Sequence, residues 1–430
     1  MTLSKSRRAI ELAKTVLILL LTMNAVFLAW RTGLFNDAFA AFPLIGNVAQ
    51  LVRGTASPAE PRGATIMEAA RPLSIVITNE EGGRFGVRYD TNQRNAAYDR
   101  ASSILGEALG SASIPVGITQ EEWREALLRP GVFFEYVTPI RLSVLDGWLG
   151  SRMQYIAEDV EIRRILVSFG DERSRIYYQE YGGLFFGADT ASTAGKAQEL
   201  YMFSPNGAVF AFETGLRGSE NAPYMLILPG VYHPDIRSAA AGIQEEMLET
   251  ALIVFGHYAE VPPTYFSGDD LVCIGMQFNI RVHPDGRVVY RRTDGFPSEG
   301  EAPALSMSEM IEWARAITAD SIGESAGDAE VKFEAFRYSE GLYSVTFGYY
   351  IAGGRVYLYD DRPAAVVSFS YGIIAEAELN FRNFVYSEYS TWLMPERQAL
   401  AAADGEFILS YSDTGAELLI PSWVRVWFRD

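Results

Sequence analysis

The chain has 430 residues, 49% of them hydrophobic, which is enough to bury a sizeable core in two or three units. Its 54 acidic and 36 basic side chains give a formal net charge of −18. A surface of this sign repels the phosphates of nucleic acids and of anionic lipids. We therefore expect no nucleic acid among its partners.

The first feature along the chain is an apolar run at residues 15–30, TVLILLLTMNAVFLAW, the only stretch of the sequence that could cross a membrane. This run has 16 residues, whereas a span needs about 20, so the predicted transmembrane helix extends over residues 12–34. The basic residues before it are Lys5, Arg7, Arg8 and Lys14. By the positive-inside rule, residues 1–11 stay in the cytoplasm and the bulk of the chain lies outside.

A cleaved signal peptide is the alternative interpretation of this segment. Ala38-Phe39-Ala40 has the small-x-small form of a cleavage site. That tripeptide lies eight residues past Trp30, however, and Arg31 interrupts the approach to it. The pattern therefore favours a retained anchor and a single-pass protein of the cell membrane.

Two polar residues, Thr22 and Asn24, lie near the middle of the predicted span. An asparagine side chain in hydrocarbon seeks a hydrogen-bond partner, and such interhelical bonds contribute roughly 0.6–2 kcal/mol. We therefore regard Thr22 and Asn24 as candidate contacts for a partner within the membrane. The alternative is that Asn24 bonds the backbone of its own helix.

A linker is predicted over residues 35–65, because they lack periodicity and end in a Gly-, Ala- and Pro-rich run. The first folded domain is expected over residues 66–236. Its predicted strands are 73–78, 84–89, 132–137, 162–169, 174–181 and 208–213. One predicted helix starts near residue 93, and another starts after the capping box of Thr119 and Glu122. Residues 187–197 are predicted to form a loop.

From Arg237 onward the pattern becomes cyclic, with one helix followed by an antiparallel meander. The sequence predicts a central module at residues 237–304 and a C-terminal module at residues 305–430. The first helix has Ile243 and Met247 on its apolar face, and the strand after it has Met276 and Phe278 on its inner face. We predict an α+β fold of antiparallel sheets with helices packed on one face.

The search for catalytic motifs finds no zinc-protease helix, nucleophile elbow, Walker loop or dinucleotide fingerprint. The three histidines, His233, His257 and His283, are interpreted as surface or turn residues. Cys273 lies in an apolar run and is predicted to be buried. The sequence therefore predicts no enzyme activity, no cofactor and no metal. A large outer domain without a disulfide favours a Gram-positive bacterium.

The layout resembles the YycH/YycI family of membrane-anchored regulators of two-component systems. The local likenesses are Ala69-Ala70-Arg71-Pro72, residues 104–110, residues 139–150, residues 348–380 and Ile420-Pro421-Ser422-Trp423. The stretch 348–380 is also similar to PepSY-type modules. The resemblance covers nearly the whole chain and rests on soft motifs without a catalytic signature. One departure is that the outer part of this chain is Ala- and Gly-rich and very acidic.

The resemblance implies a non-enzymatic regulator that contacts a sensor histidine kinase through its span and outer domain and tunes cell-wall metabolism. A paralogous regulator is a further implied partner. Two alternatives stay open on the residues alone. One is an envelope module that binds peptide or glycan, which needs an aromatic-lined groove away from the cores. The other is an extracytoplasmic hydrolase, which needs a convergent pair of carboxylates or a Ser/base pair.

Overall fold

The fold was analysed in a computed structural model of the chain. The structure describes residues 66–153, 160–170, 173–191, 194–258, 262–294, 305–403, 405–413 and 417–425. The predicted span, the basic residues Lys5, Arg7, Arg8 and Lys14, and the pair Thr22 and Asn24 lie outside the described residues. Within the described ranges, no helix combines the length and the apolar character that crossing a bilayer requires.

Eight α-helices are found in the described residues. They are α1 (Ile66–Ala69), α2 (Thr91–Gly110), α3 (Gln120–Leu128), α4 (Leu142–Leu149), α5 (Ala194–Leu200), α6 (Gln244–Val254), α7 (Met307–Thr318) and α8 (Glu396–Ala402). A π-helical turn, Ala319–Gly323, continues α7.

The described strands fall into an N-terminal and a C-terminal group. The first ten are β1 (Ser74–Thr78), β2 (Arg84–Val87), β3 (Val116–Ile118), β4 (Gly131–Arg141), β5 (Glu161–Ser168), β6 (Ser174–Glu180), β7 (Phe185–Thr190), β8 (Val209–Phe210), β9 (Leu226–Ile227) and β10 (Ile236–Ala240). The others are β11 (Thr264–Ser267), β12 (Asp270–Ile274), β13 (Phe278–Val282), β14 (Arg287–Arg292), β15 (Glu330–Ser339), β16 (Leu342–Ile351), β17 (Gly354–Tyr357), β18 (Ala365–Ser370), β19 (Ile373–Asn380), β20 (Arg382–Tyr386), β21 (Phe407–Ser412), β22 (Leu418–Leu419) and β23 (Pro421–Arg425).

Two large sheets organise these strands. The first has the order β2-β1-β4-β5-β6-β7-β3, and the second has the order β11-β12-β13-β14-β19-β18-β16-β17-β21-β23, with β15 paired to β16 beside it. Among the named strand pairs of the described chain, β17 with β21 is the parallel one. The α+β prediction with antiparallel sheets is confirmed. Gly63–Asp430 form one compact unit, and the finer boundaries after residues 236 and 304 stay predictions.

Local signals account for several helix starts. Thr119 and Glu122 form the predicted capping box of α3, and Ser306 and Glu309 form a second capping box at the start of α7. Helix α2 begins after Asp90, whose side chain accepts from the backbone of Gln93. Its inner face is small and apolar, and its buried residues include Ala97, Ala101, Ile104, Leu105 and Ala108.

The predicted loop at residues 187–197 is wrong, since it contains the end of β7 and the start of α5. Small residues gave the segment a loop-like composition, but Gly187 is small for a packing reason. A Cβ atom at Gly187 would lie 3.2 Å from the ring of Tyr177 on the neighbouring strand. Two further predictions are wrong, because Ile243 and Met276 point to solvent.

The core continues from the first sheet into the second. Trp123 and Phe133 are buried in the first, Phe347 and Phe369 in the second, and all belong to one connected set of apolar side chains. Between the sheets, the Thr138 hydroxyl on β4 donates to the Phe333 carbonyl on β15 at 3.4 Å. Side chains from both halves of the chain therefore meet at this junction.

Candidate functional site

A cavity of about 360 Å³ lies at this junction, and we call it the junction cavity. Its size falls within the roughly 300–1,000 Å³ of small-molecule sites. The N-terminal half contributes Arg71, which follows α1, and Trp148 of α4. The C-terminal half contributes the end of α7, the π-helical turn and strand β15. The cavity is therefore built by segments more than 150 residues apart in sequence.

The π-helical turn forms one wall through Ala319 and Gly323. Hydroxyls near the end of α7 bond back to the helix: Thr318 Oγ1 donates to the Ala314 carbonyl at 2.7 Å, and Ser321 Oγ to the Ile317 carbonyl at 2.6 Å. Such back-bonding bends helices, and short π-helical turns occur frequently at functional sites. The small side chains at 319 and 323 leave this wall without bulk.

The aromatic part of the wall is formed by Trp148, Phe333 and Phe347. The ring of Phe333 meets Trp148 edge to face with centroids 6.2 Å apart, and it meets Phe347 in the same way at 6.2 Å. Such pairs are fixed in orientation by their quadrupoles. The cavity therefore offers a preformed apolar surface on one side.

Another part of the wall carries charge. Lys332 of β15 places its Nζ 3.4 Å from Glu330 Oε2 and 3.4 Å from the Arg71 carbonyl oxygen. The same Glu330 carboxylate accepts from Nη2 of the buried Arg94 at 2.5 and 2.6 Å. The Arg71 guanidinium contacts Glu68 at 3.3 Å and Asp99 at 3.6 Å. Lys332 and Arg94 thus share the Glu330 carboxylate, while Arg71 pairs with Glu68 and Asp99.

The pKa values of Lys332 and Glu330 reflect burial and the neighbouring charges. Burial lowers the pKa of Lys332 to about 8, with Glu330 opposing the shift and Arg94 adding to it. Burial alone would raise the pKa of Glu330, but the charges of Lys332 and Arg94 lower it to about 2. Within the described residues, Nε of Arg71 and Nε of Arg94 are buried donors without an acceptor. The inner wall therefore has more donor capacity than its carboxylate uses.

A second cluster of buried charge, the Glu135 network, lies on the first sheet. Glu135 is fully buried on β4 and accepts from Arg88 Nη2 at 2.6 Å and from Arg164 Nη2 at 2.8 Å. Arg163 grips Glu406 through both terminal nitrogens at 2.8 and 2.7 Å, and Arg164 reaches the same carboxylate at 2.7 Å. The network ties the first sheet to the segment just before β21.

The acids of this network are held ionised. Burial by itself raises the pKa of Glu135, but the surrounding arginines outweigh it and hold the pKa well below its usual range. Next to it, Glu396 accepts from the Tyr89 hydroxyl and from the Leu228 N–H, and burial raises its pKa. Nε of Arg88 has no acceptor among the described residues, but all three arginines of the network bind carboxylates through their terminal nitrogens, so we assign the Glu135 network a structural role.

The histidines depart from their interpretation as surface or turn residues. His233 is buried, contacts the rings of Tyr89 and Trp423 edge to face, and has its pKa lowered to about 4 by burial. His257 stacks on Phe278 with centroids 3.7 Å apart. Only His283 follows the prediction, in the turn before β14, although it also contacts Asp270 at 2.8 Å. The prediction failed because imidazole rings pack as aromatic surfaces as readily as they solvate.

Cys273 is buried on β12, as predicted. In the part of the chain that the structure describes, no three His, Cys, Asp or Glu side chains are grouped so as to hold a metal ion.

A loop between β20 and α8 presents aromatic side chains to solvent. Trp392 is 77% exposed and Tyr389 is 68% exposed. The buried Asp235 fixes this loop, because its carboxylate accepts from the backbone N–H of Thr391 at 2.9 Å and from the Thr391 hydroxyl at 3.0 Å. The Asp235 N–H also donates to the Tyr389 carbonyl at 3.1 Å. The two rings are thus exposed on a held backbone.

The sequence reasoning missed the junction cavity and the Glu135 network, although both carry a signal. The chain contains 32 arginines and only four lysines, Lys5, Lys14, Lys196 and Lys332. Lys332 stands in an alternating strand pattern and is therefore unusual by composition. Glu135, Arg163 and Arg164 interrupt strands that are otherwise apolar, and charges in buried strands are normally paired.

Comparison of the chain with protein-family models, with curated proteins and with solved structures finds no significant match.

Proposed function

We propose that the protein is a non-enzymatic, membrane-anchored regulator whose acidic α+β body lies outside the cytoplasmic membrane. In this proposal the partner is a sensor histidine kinase that controls cell-wall metabolism, with a paralogous regulator as a further partner. The C-terminal module, residues 305–430, is the PepSY-like part. The observation that carries the proposal is the order of the sequence: a basic start, the apolar run 15–30 and then a large acidic body.

Two features support binding rather than catalysis as the mode of action. The strongest concentration of buried charge, the Glu135 network, is engaged in ion pairs that join distant parts of the fold. The polar residues Thr22 and Asn24 fall at mid-depth of the predicted span, where a side chain that seeks a partner helix is worth most.

The test is co-purification of the full chain from native membranes after crosslinking, followed by identification of the bound proteins. We expect a sensor kinase in the captured set, and Asn24→Leu should reduce its yield several-fold. Leu20→Val in the same predicted span is the matched control and should leave the yield unchanged. Equal capture by the Asn24→Leu variant would remove the intramembrane contact, and capture without any kinase would contradict the proposed partner.

A second candidate function, an envelope module for peptide or glycan, is favoured by the loop of Tyr389 and Trp392. Exposed aromatic rings on a held backbone suit sugar faces and peptide side chains, since little conformational entropy is lost when they bind. Isolated peptidoglycan should then retain the full chain, and Trp392→Ala should weaken retention about 10-fold. Tyr232→Ala, which removes another exposed ring, is the control. Equal retention of both variants would argue against this function.

A further inference from the structure

We propose that the junction cavity binds a small amphiphilic monocarboxylate, with its carboxylate between Lys332 and Arg71 and its apolar part against Trp148 and Phe333. This inference goes beyond the regulatory function proposed above and does not depend on it. It rests on the charge, the donors and the shape of the cavity wall.

The most buried cation of the wall would meet an anion. The cavity is lined by three basic and three acidic residues, Arg71, Arg315 and Lys332 with Glu68, Glu324 and Glu330. Glu324 is exposed and the Glu68 side chain is 33% exposed, whereas the Lys332 side chain is 11% exposed and is paired with Glu330. The buried Nε of Arg71 has no acceptor among the described residues. A buried donor without an acceptor costs free energy that a bound carboxylate oxygen would recover.

The same groups favour one negative charge over two. Glu330 remains ionised beside Lys332 and would repel a second charge on the ligand. An arginine and a lysine together match the two oxygens of a carboxylate, because the guanidinium is planar and the ammonium is compact and mobile. A phosphate dianion would face both the repulsion of Glu330 and a larger desolvation cost.

The apolar residues of the cavity determine which chemical group the ligand carries beside its carboxylate. Trp148, Phe333 and Phe347 form the edge-to-face series described above, and Ala319 with Gly323 leaves space opposite them. A neutral apolar molecule would fill this space but would leave Lys332 and Arg71 desolvated without compensation. A short aryl or alkyl group attached to a carboxylate satisfies both sides.

The experiment uses 3-phenylpropionate as the probe, with 3-phenylpropanol and 3-phenylpropylamine as partners of nearly the same shape. Binding to the full chain in lipid nanodiscs is measured by calorimetry against empty nanodiscs. We expect saturable binding of the carboxylate and at least about 10-fold weaker binding of the alcohol and the amine, as for one charge-assisted contact. Equal affinity for the alcohol, or no saturable binding of the carboxylate, would overturn the proposal.

Four variants locate the site. Lys332→Met should weaken 3-phenylpropionate binding about 10-fold or more, and Lys196→Met, at an exposed lysine, should not change it. Ala319→Leu should fill the cavity and abolish binding, whereas Ala402→Leu, at an exposed position of α8, should have no effect. Binding that survives both Lys332→Met and Ala319→Leu would place the ligand elsewhere.

A measurement on the unmodified chain guards against variants that fail to fold. An amine-acylating reagent followed by mass spectrometry reports on each of the four lysines separately. At a 3-phenylpropionate concentration about ten times Kd, roughly nine sites in ten are occupied. Acylation of Lys332 should then slow at least about fivefold, because the bound ligand shields its amine. Acylation of Lys196 should be unaffected. Unprotected Lys332 in the presence of bound ligand would contradict the proposal.

Discussion

The Glu135 network and the junction cavity both bury charged side chains, but they satisfy them differently. In the network, Arg163 and Arg164 share Glu406 at 2.7 Å, and Glu135 receives Arg88 and Arg164 at 2.6 and 2.8 Å. In the cavity, the corresponding contacts of Lys332 are 3.4 Å long. Lys332 is therefore more loosely paired than the arginines of the network, although Glu330 beside it accepts from Arg94 at 2.5 and 2.6 Å.

The difference teaches how buried charge can be assigned. A buried pair that completes its hydrogen bonds contributes mainly to the uniqueness of the fold and becomes costly only when one partner is removed. Both regions contain a buried guanidinium Nε without an acceptor among the described residues, that of Arg88 in the network and those of Arg71 and Arg94 near the cavity. Lys332 differs in the 3.4 Å length of its contacts and in its place on the wall of a cavity. Access to a cavity together with long contacts, more than burial itself, separates a candidate binding site from a structural cluster.

The largest effect is expected at Glu135. The contrast between the two regions would fail if Glu135 could be neutralised without loss of stability. Glu135→Gln should lower the free energy of unfolding by about 3–5 kcal/mol, because it leaves buried arginines without their counter-charge. Urea unfolding followed by tryptophan fluorescence measures this. Glu376→Gln, at an exposed pair with Arg291, is the control and should change it by less than about 1 kcal/mol. Similar losses of stability from both variants would show that the buried network stabilises the fold no more than an exposed ion pair does.

Glu330 tests the cavity side with a smaller effect. Glu330→Gln should lower the free energy of unfolding by about 1–3 kcal/mol, because Arg94 loses its carboxylate while cavity water still reaches the site. The same variant should bind 3-phenylpropionate more tightly, since the competing carboxylate is gone. A stability loss without a gain in affinity would mean that Glu330 does not compete with the ligand.

Lys332 should give the smallest change and the opposite sign. Lys332→Met removes an ammonium that burial destabilises, and Glu330 keeps its bonds to Arg94, so the free energy of unfolding at pH 7 should rise by about 1 kcal/mol. Its pKa falls from 10.5 to about 8 on folding, so between these values the unfolded chain holds more protons and wild-type stability rises with pH. The advantage of the variant should therefore shrink from pH 8 to pH 10. An advantage that stays constant with pH would contradict the lowered pKa.

The charged groups around Lys332 come from several elements, and the Lys332→Met variant leaves all of them unchanged. They are Glu68 of α1, Arg71 after it, Arg94 of α2, Arg315 of α7, Glu324 after the π-helical turn, and Glu330 on the same strand. Replacing only Lys332 isolates its titration from theirs.

Most of the secondary structure followed from period and capping. The strand predicted at residues 174–181 is found as β6, Ser174–Glu180, because β-branched and aromatic residues are concentrated at its centre. The order of strands in the two sheets could not be predicted. It depends on pairings such as β14 with β19 or β17 with β21, which join segments far apart in sequence.

The junction cavity could not be predicted from the sequence for the same reason. Its walls come from α1, α4, α7 and β15, and periodicity describes each element without saying which elements meet. The rare Lys332 was visible in the composition, yet its neighbours Arg71 and Arg94 became neighbours only through the tertiary fold. The Glu135 network shows the same limit, since Glu406 comes from a segment with no pattern of its own.

The contact between Arg163 and Glu406 joins residues 243 positions apart, and Tyr89 meets Glu396 across 307 positions. A ribosome releases the chain from its N-terminus, so Glu135 emerges before Arg163 and Arg164, but their second acid, Glu406, emerges about 240 residues after them. Until residue 406 is available, those guanidiniums need water, and the sheet cannot close its interior around them. We therefore expect the first sheet to mature late, when the last segment docks, in a slow step of high contact order.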